Sequence, residues 1–179
     1  MEYNKNELIT QGRQTCTTLL ETLEQFTPES FNKIPPQGGW TPGQIAEHLL
    51  LSAGVAEAIT GKTEPSKRPA DQHIDTLAAI FLDFAVKLQS PDFIVPEAKD
   101  YDQQEMIYRL KTVWTKLKEA VRLLDLSVLC VDFEFPGLGP LTRQEWIWFY
   151  VFHTQRHNRQ FQGLLTPAPT HHRLPLPGR

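Results

Sequence analysis

Between its prolines, this chain repeats apolar residues at intervals of three and four, and that period allows little besides helix. From Leu8 the spacing runs through Gly12, Cys16, Leu19, Leu20 and Leu23 to Phe26, one face of a first helix. Pro28, Pro35, Pro36, Gly38 and Gly39 then interrupt it. Thr41-Pro42-Gly43-Gln44 is a capping box with proline at the first helical position, so a second helix starts at Pro42 and carries Ile45, His48, Leu49, Ser52 and Val55 toward a terminator at Gly61. Residues 62–72, with Pro65 and Pro69, show no period and read as an exposed connection.

The period returns at Leu77, Ile80, Phe81, Phe84 and Leu88, predicting a third helix that ends before Pro91 and Pro96. A fourth, from about 103 to 124, places Met106, Leu110, Val113, Trp114, Leu117, Val121 and Leu124 on one face. Val128 to Phe135 alternates partially and meets Pro136-Gly137-Leu138-Gly139-Pro140, which suits a loop or short hairpin. Thr142-Arg143-Gln144-Glu145 is a second capping box and opens a last helix to about Gly163. The expectation is an all-α four-helix bundle with an extra short helix and long connections, forming one domain over residues 1–165, with an irregular proline-rich tail over 166–179. A chain of 179 residues with 40% hydrophobic and 22% charged residues is enough for one such core.

Bundles of this kind build their sites from side chains on facing helices, so polar residues at inward positions matter most. His153 and His157 are four apart, about 40° around the helix axis, and lie in the apolar row Trp146, Tyr150, Phe161, Leu164. Two neutral imidazoles at that spacing can each offer a nitrogen to one metal ion, whereas two protonated ones would repel. The competing reading is a pair of hydrogen-bonded core histidines. His48 occupies an inward position on the second helix and is the candidate third ligand. Three imidazoles with an open position match catalytic zinc chemistry and suit nickel, iron or copper as well. His73, His171 and His172 have no such context and read as solvated.

Glu47 is about 100° around the helix from His48, and Glu145 is accounted for by its capping box, so no carboxylate stands out as a base and no catalytic residue is assigned. Gln160 either hydrogen-bonds the His157 ring or faces solvent; Tyr150 either supports the site or is core. Trp40 and Trp146 read as core and cap packing. Cys16 and Cys130, far apart and outside any CxxC spacing, indicate neither a disulfide framework nor a cysteine metal site.

The stretch from Gly39-Trp40-Thr41-Pro42-Gly43-Gln44-Ile45 to His48-Leu49, followed by Pro136-Gly137-Leu138-Gly139, Glu145-Trp146, His153, Arg156-His157 and Gln160, resembles the DinB/YfiT-like superfamily over nearly the whole chain. The resemblance implies a four-helix bundle in which His48, His153 and His157 hold a divalent metal ion at one end of a pocket. Zinc and nickel rank first, with iron, manganese and copper behind. Related proteins include thiol transferases and isomerases acting with low-molecular-weight thiols. The implied function is that of a metal-dependent enzyme activating a thiol or water, thiol-S-transferase-like in the first instance. The alternatives are a hydrolase or a non-catalytic, stress-related metal-binding bundle.

A net charge of −3 without a Lys or Arg run gives no footprint for nucleic acid or an anionic membrane. The polar N-terminus and the absence of any long apolar run predict a cytoplasmic protein acting on a small molecule. The run Trp146-Ile147-Trp148-Phe149-Tyr150-Val151-Phe152 is apolar all round. That predicts either a homodimer through Trp148 and Phe152 or a central helix covered by the segment near Val128.

Overall fold

The computed structural model describes residues 3–166. Its helices are α1 (Lys5–Leu23), α2 (Pro28–Phe31), α3 (Pro42–Leu51), α4 (Val55–Ala58), α5 (Ile74–Leu82), α6 (Gln103–Leu123) and α7 (Arg143–Leu165). The four longest-reaching helices close a ring: α7 lies between α1 and α3, and α6 lies between the same two on the other side. This is the expected four-helix bundle. α5 packs on the outside of α7. The shared core is filled by Leu19, Leu23, Ile45, Leu49, Leu110, Leu117, Tyr150 and Phe161, all essentially buried.

Both predicted capping boxes form. The Thr41 hydroxyl accepts from Gln44 N at 3.1 Å while Thr41 N donates to the Gln44 side chain at 3.0 Å. At α7, Thr142 N donates to Glu145 Oε2 at 2.8 Å and Glu145 N donates back to the Thr142 hydroxyl at 3.2 Å. These bonds satisfy backbone donors that a helix start leaves open.

Three expectations are corrected. The second helix does not run unbroken to Gly61: after Leu51 it tightens into a 3-10 turn over Ser52–Gly54 before α4. There the Ser52 hydroxyl donates to the His48 carbonyl at 2.8 Å, a back-bond that bends helices. The third helix closes at Leu82, well before Pro91. The Arg156 guanidinium donates to the carbonyls of Phe81, at 3.3 Å, Asp83, at 2.8 Å, and Val86. Ala85 N, which would have continued the helix onto the Phe81 carbonyl, donates to Asp83 Oδ1 instead. Phe84 and Leu88 therefore lie outside the helix and are exposed.

The third correction concerns the connection at 62–72. It contributes a strand, β1 (Thr63–Glu64), which pairs antiparallel with β2 (Leu129–Phe135). β2 turns back through Gly137 (φ 80°) and Gly139 (φ 72°) into β3 (Gly139–Thr142), a bulged antiparallel hairpin. The hairpin reading of 128–140 holds, and its partner strand is added. Of the two readings open for the apolar run of α7, the central helix is the one its burial favours. Trp148 is 1% exposed and Phe152 2%, both within a single chain. Tyr3 stands edge-on to Trp148 at 5.3 Å, and Phe152 stacks on it at 5.1 Å, so the helix is apolar all round because it is central.

The predicted irregular tail lies outside the described residues apart from Thr166, as do His171 and His172. Among the described residues, no helix is long and apolar enough to cross a membrane.

Candidate metal centre

α3 and α7 cross so that the His48 imidazole meets those of His153 and His157, more than one hundred residues further along the sequence, inside the bundle. The capping box places the start of α3, and His48 follows in its second turn facing α7. On α7, the 3.6-residue repeat brings His153 and His157 to the same side. His48 Nε2 lies 3.0 Å from His153 Nε2, and His157 Nε2 lies 3.0 Å from the same atom. All three rings are buried, at 2%, 5% and 7% exposure. One ligand atom from each falls within 4.8 Å of the other two.

The second nitrogens explain which way the rings point. His48 Nδ1 donates to the carbonyl of Ile94 at 2.8 Å. His157 Nδ1 donates to Gln160 Oε1 at 2.9 Å. With the proton on Nδ1, each Nε2 is left with a bare lone pair aimed into the cluster. Of the two readings open for Gln160, the ring contact is the one realised. The Tyr150 hydroxyl donates to the Leu49 carbonyl at 3.2 Å, away from the imidazoles, which is the core reading.

Burial lowers the pKa of all three histidines. His48 is lowered by desolvation, opposed by its bond to Ile94. His153 is held well below its ordinary value by desolvation and by His157, His48 and Arg156. His157 falls to about 3, through desolvation first and then His48. The neutral imidazoles that metal ligation requires are thus the forms this pocket favours.

The donor set fits a cation. Each nitrogen-nitrogen contact at 3.0 Å needs one proton between the atoms, yet His153 Nε2 is common to both and holds at most one. With the protons of His48 and His157 held on Nδ1, one pair of lone pairs is left facing wherever the His153 proton stands. Nitrogens on a common ion at about 2.0–2.1 Å from it lie roughly 3 Å apart, the spacing of the two contacts to His153, so a cation would resolve the conflict.

Aromatic side chains wall the cluster. Trp40 lies against His48 with centroids 4.9 Å apart, and Phe81 and Phe149 flank His153 at 5.3 and 5.5 Å. Trp40 thus touches a candidate ligand, a contact that its reading as packing did not contain; only the tertiary fold brings it there. Trp146 packs on Phe135 and Phe149 as expected.

The carboxylates stay outside. Glu47 lies against Arg109 at 3.5 Å. Glu145 is fully buried, receives Arg68 through two bonds of 2.7 Å, and also accepts from His73 N at 2.8 Å. His73 is accordingly half-buried rather than solvated, and it lies outside the cluster.

The family model described as the DinB superfamily matches residues 11–161, a span that contains all three histidines. The chain belongs to the DinB superfamily. This DinB-superfamily bundle also superposes on a solved structure, YfiT from Bacillus subtilis, described as a probable metal-dependent hydrolase with an unusual four-helix bundle topology. The TM-score is 0.56 at 17% identity, over 92% of this chain and 87% of that one, a likeness of fold. No curated protein matches the sequence.

Proposed function

We propose that this DinB-superfamily protein binds one divalent metal ion through the Nε2 atoms of His48, His153 and His157 and uses it to activate a low-molecular-weight thiol for transfer to a small electrophile. The observation that carries the reading is the convergence of three buried Nε2 atoms that cannot satisfy one another with protons while His48 and His157 hold theirs on Nδ1. A bound divalent cation with an open position supplies Lewis acidity, which makes a thiolate or hydroxide available near neutral pH.

The chain's own contribution is to hold and to exclude. The Ile94 carbonyl and Gln160 orient two rings, and Trp40, Phe81 and Phe149 keep the surroundings apolar, where charge interactions are less screened by water. Thiol transfer ranks above hydrolysis because water attack benefits from a positioned base, and the nearby carboxylates Glu47 and Glu145 are engaged by Arg109 and Arg68. Hydrolysis is the second reading, favoured by the description of YfiT, whose fold this chain shares. Free Cys16 and Cys130 and a thiol substrate both suit a reducing compartment, the cytoplasm.

The test is reconstitution of chelated protein with zinc or nickel, followed by assays of thiol consumption with an electrophile and of ester cleavage. Metal-dependent thiol transfer is expected. Ester cleavage alone would favour the hydrolase, and stoichiometric metal without either turnover would make the protein a non-catalytic metal-binding bundle.

A further inference from the structure

Of the three imidazoles, each is supported differently at its second nitrogen. His48 faces a main-chain carbonyl, which can only accept, so its proton is held on Nδ1. His153 Nδ1 is buried with no hydrogen-bond partner, so no bond there selects a tautomer. His157 faces the side chain of Gln160, one turn further along α7. A primary amide differs from a carbonyl in having two ends: the oxygen accepts, and the NH2 donates.

Those two ends have opposite consequences for the cluster. With the oxygen forward, as in the structure, His157 carries its proton on Nδ1 and presents a bare Nε2 toward His153. With the amide reversed, NH2 would donate to a bare Nδ1, and the ring proton would stand on Nε2. That proton would point at His153 Nε2, 3.0 Å away, and occupy the lone pair a cation needs. Gln160 is exposed on α7, and among the described residues the bond to His157 is the one hydrogen bond of its side chain. Its amide is therefore free to take either orientation, whereas the Ile94 carbonyl is not.

We propose that Gln160 is a positioning residue whose amide oxygen selects the metal-ready tautomer of His157 and thereby sets the affinity of the three-histidine site. The proposal rests on the metal-centre reading above. It assigns to an exposed glutamine an effect on a buried site that it does not enter. Glutamate at this position can only accept from Nδ1 at neutral pH, so it retains the selection, while alanine abolishes it.

The experiment compares the parent chain with Gln160→Ala, Gln160→Glu and His157→Ala. Zinc and cobalt affinities are read by competition with a chromophoric chelator, and imidazole 15N shifts are read in the metal-free proteins. Gln160→Ala is expected to weaken zinc binding about 10–100-fold at unchanged stoichiometry. Gln160→Glu is expected to match or exceed the parent. Metal-free His157 should carry its proton on Nδ1 in the parent and the Glu variant, and populate both tautomers in the Ala variant. An Ala variant within about twofold of the parent, or a Glu variant no tighter than Ala, overturns the proposal. If the parent takes up no metal, or His157→Ala binds as tightly as the parent, the metal-centre reading fails separately. The nitrogen shifts then decide alone, and a parent His157 protonated on Nε2 overturns the role of Gln160.

Discussion

His48 Nε2 and His153 Nε2 lie 3.0 Å apart across the interface of α3 and α7, although 105 positions separate them in the chain. Two imidazole nitrogens at that distance either share a proton or share a cation, and His157 makes the same demand on the same His153 atom. The first prediction follows from that shared atom. Replacing His48, His153 or His157 by Ala should abolish stoichiometric zinc or nickel binding and remove the stabilisation the metal confers, about 2.7 kcal/mol at one hundred times the dissociation constant. His73→Ala should leave both intact, since His73 is outside the cluster. Metal content and melting temperature after reconstitution check this, and full occupancy in His48→Ala would refute the three-histidine site.

The metal-free protein should lose stability on acidification. His157 titrates near 3 when folded and near 6.5 when unfolded, so between these values the unfolded chain binds more protons and stability falls as pH falls. The loss begins as pH drops through about 6.5 and is complete only near 3. From pH 7.5 to 5.5, above the range where most carboxylates titrate, His157 alone should cost about 1 kcal/mol. His48 and His153 are shifted in the same direction and add to it. Urea unfolding in chelator at the two pH values measures the loss, and His157→Ala should make it smaller.

Arg68→Ala should be among the more damaging surface-reachable substitutions. It leaves the fully buried Glu145 carboxylate with two backbone donors and no counter-charge. Removing one partner of a buried pair costs about 3–5 kcal/mol, and the partial exposure of Arg68 places this pair toward the lower end. The midpoint of urea unfolding should fall accordingly, while zinc affinity should not change. An unaltered midpoint would show that the backbone donors suffice.

Trp148→Ala should destabilise the fold by about 3–5 kcal/mol through the cavity left in the core. Because Trp148 and Phe152 are buried within one chain, the conservative change Phe152→Leu should leave the sedimentation coefficient of the folded protein unchanged. A change in association state with Phe152→Leu would return these residues to an interface.

The local sequence alone determined the main helices and their starts. Apolar period and capping boxes act within one or two turns, so Thr41 through Gln44 and Thr142 through Glu145 could be read directly, and the four-residue spacing of His153 and His157 guarantees a shared face wherever the helix lies. Tertiary structure alone decided what is built from partners distant in the chain. β1 is two residues long and exists only because Thr63 and Glu64 pair with Cys130 and Leu129. α5 stops where the Arg156 guanidinium takes its last carbonyls, before any proline intervenes. The Ile94 carbonyl on His48 lies 46 residues from it, and Trp40 reaches the same ring by a loop that has no period. Trp148 is core rather than interface because Tyr3, from the opposite end of the chain, packs beside it. Period and capping are carried by neighbouring residues, whereas a strand partner, a carbonyl acceptor or a covering ring is supplied by whichever segment the folded chain brings near.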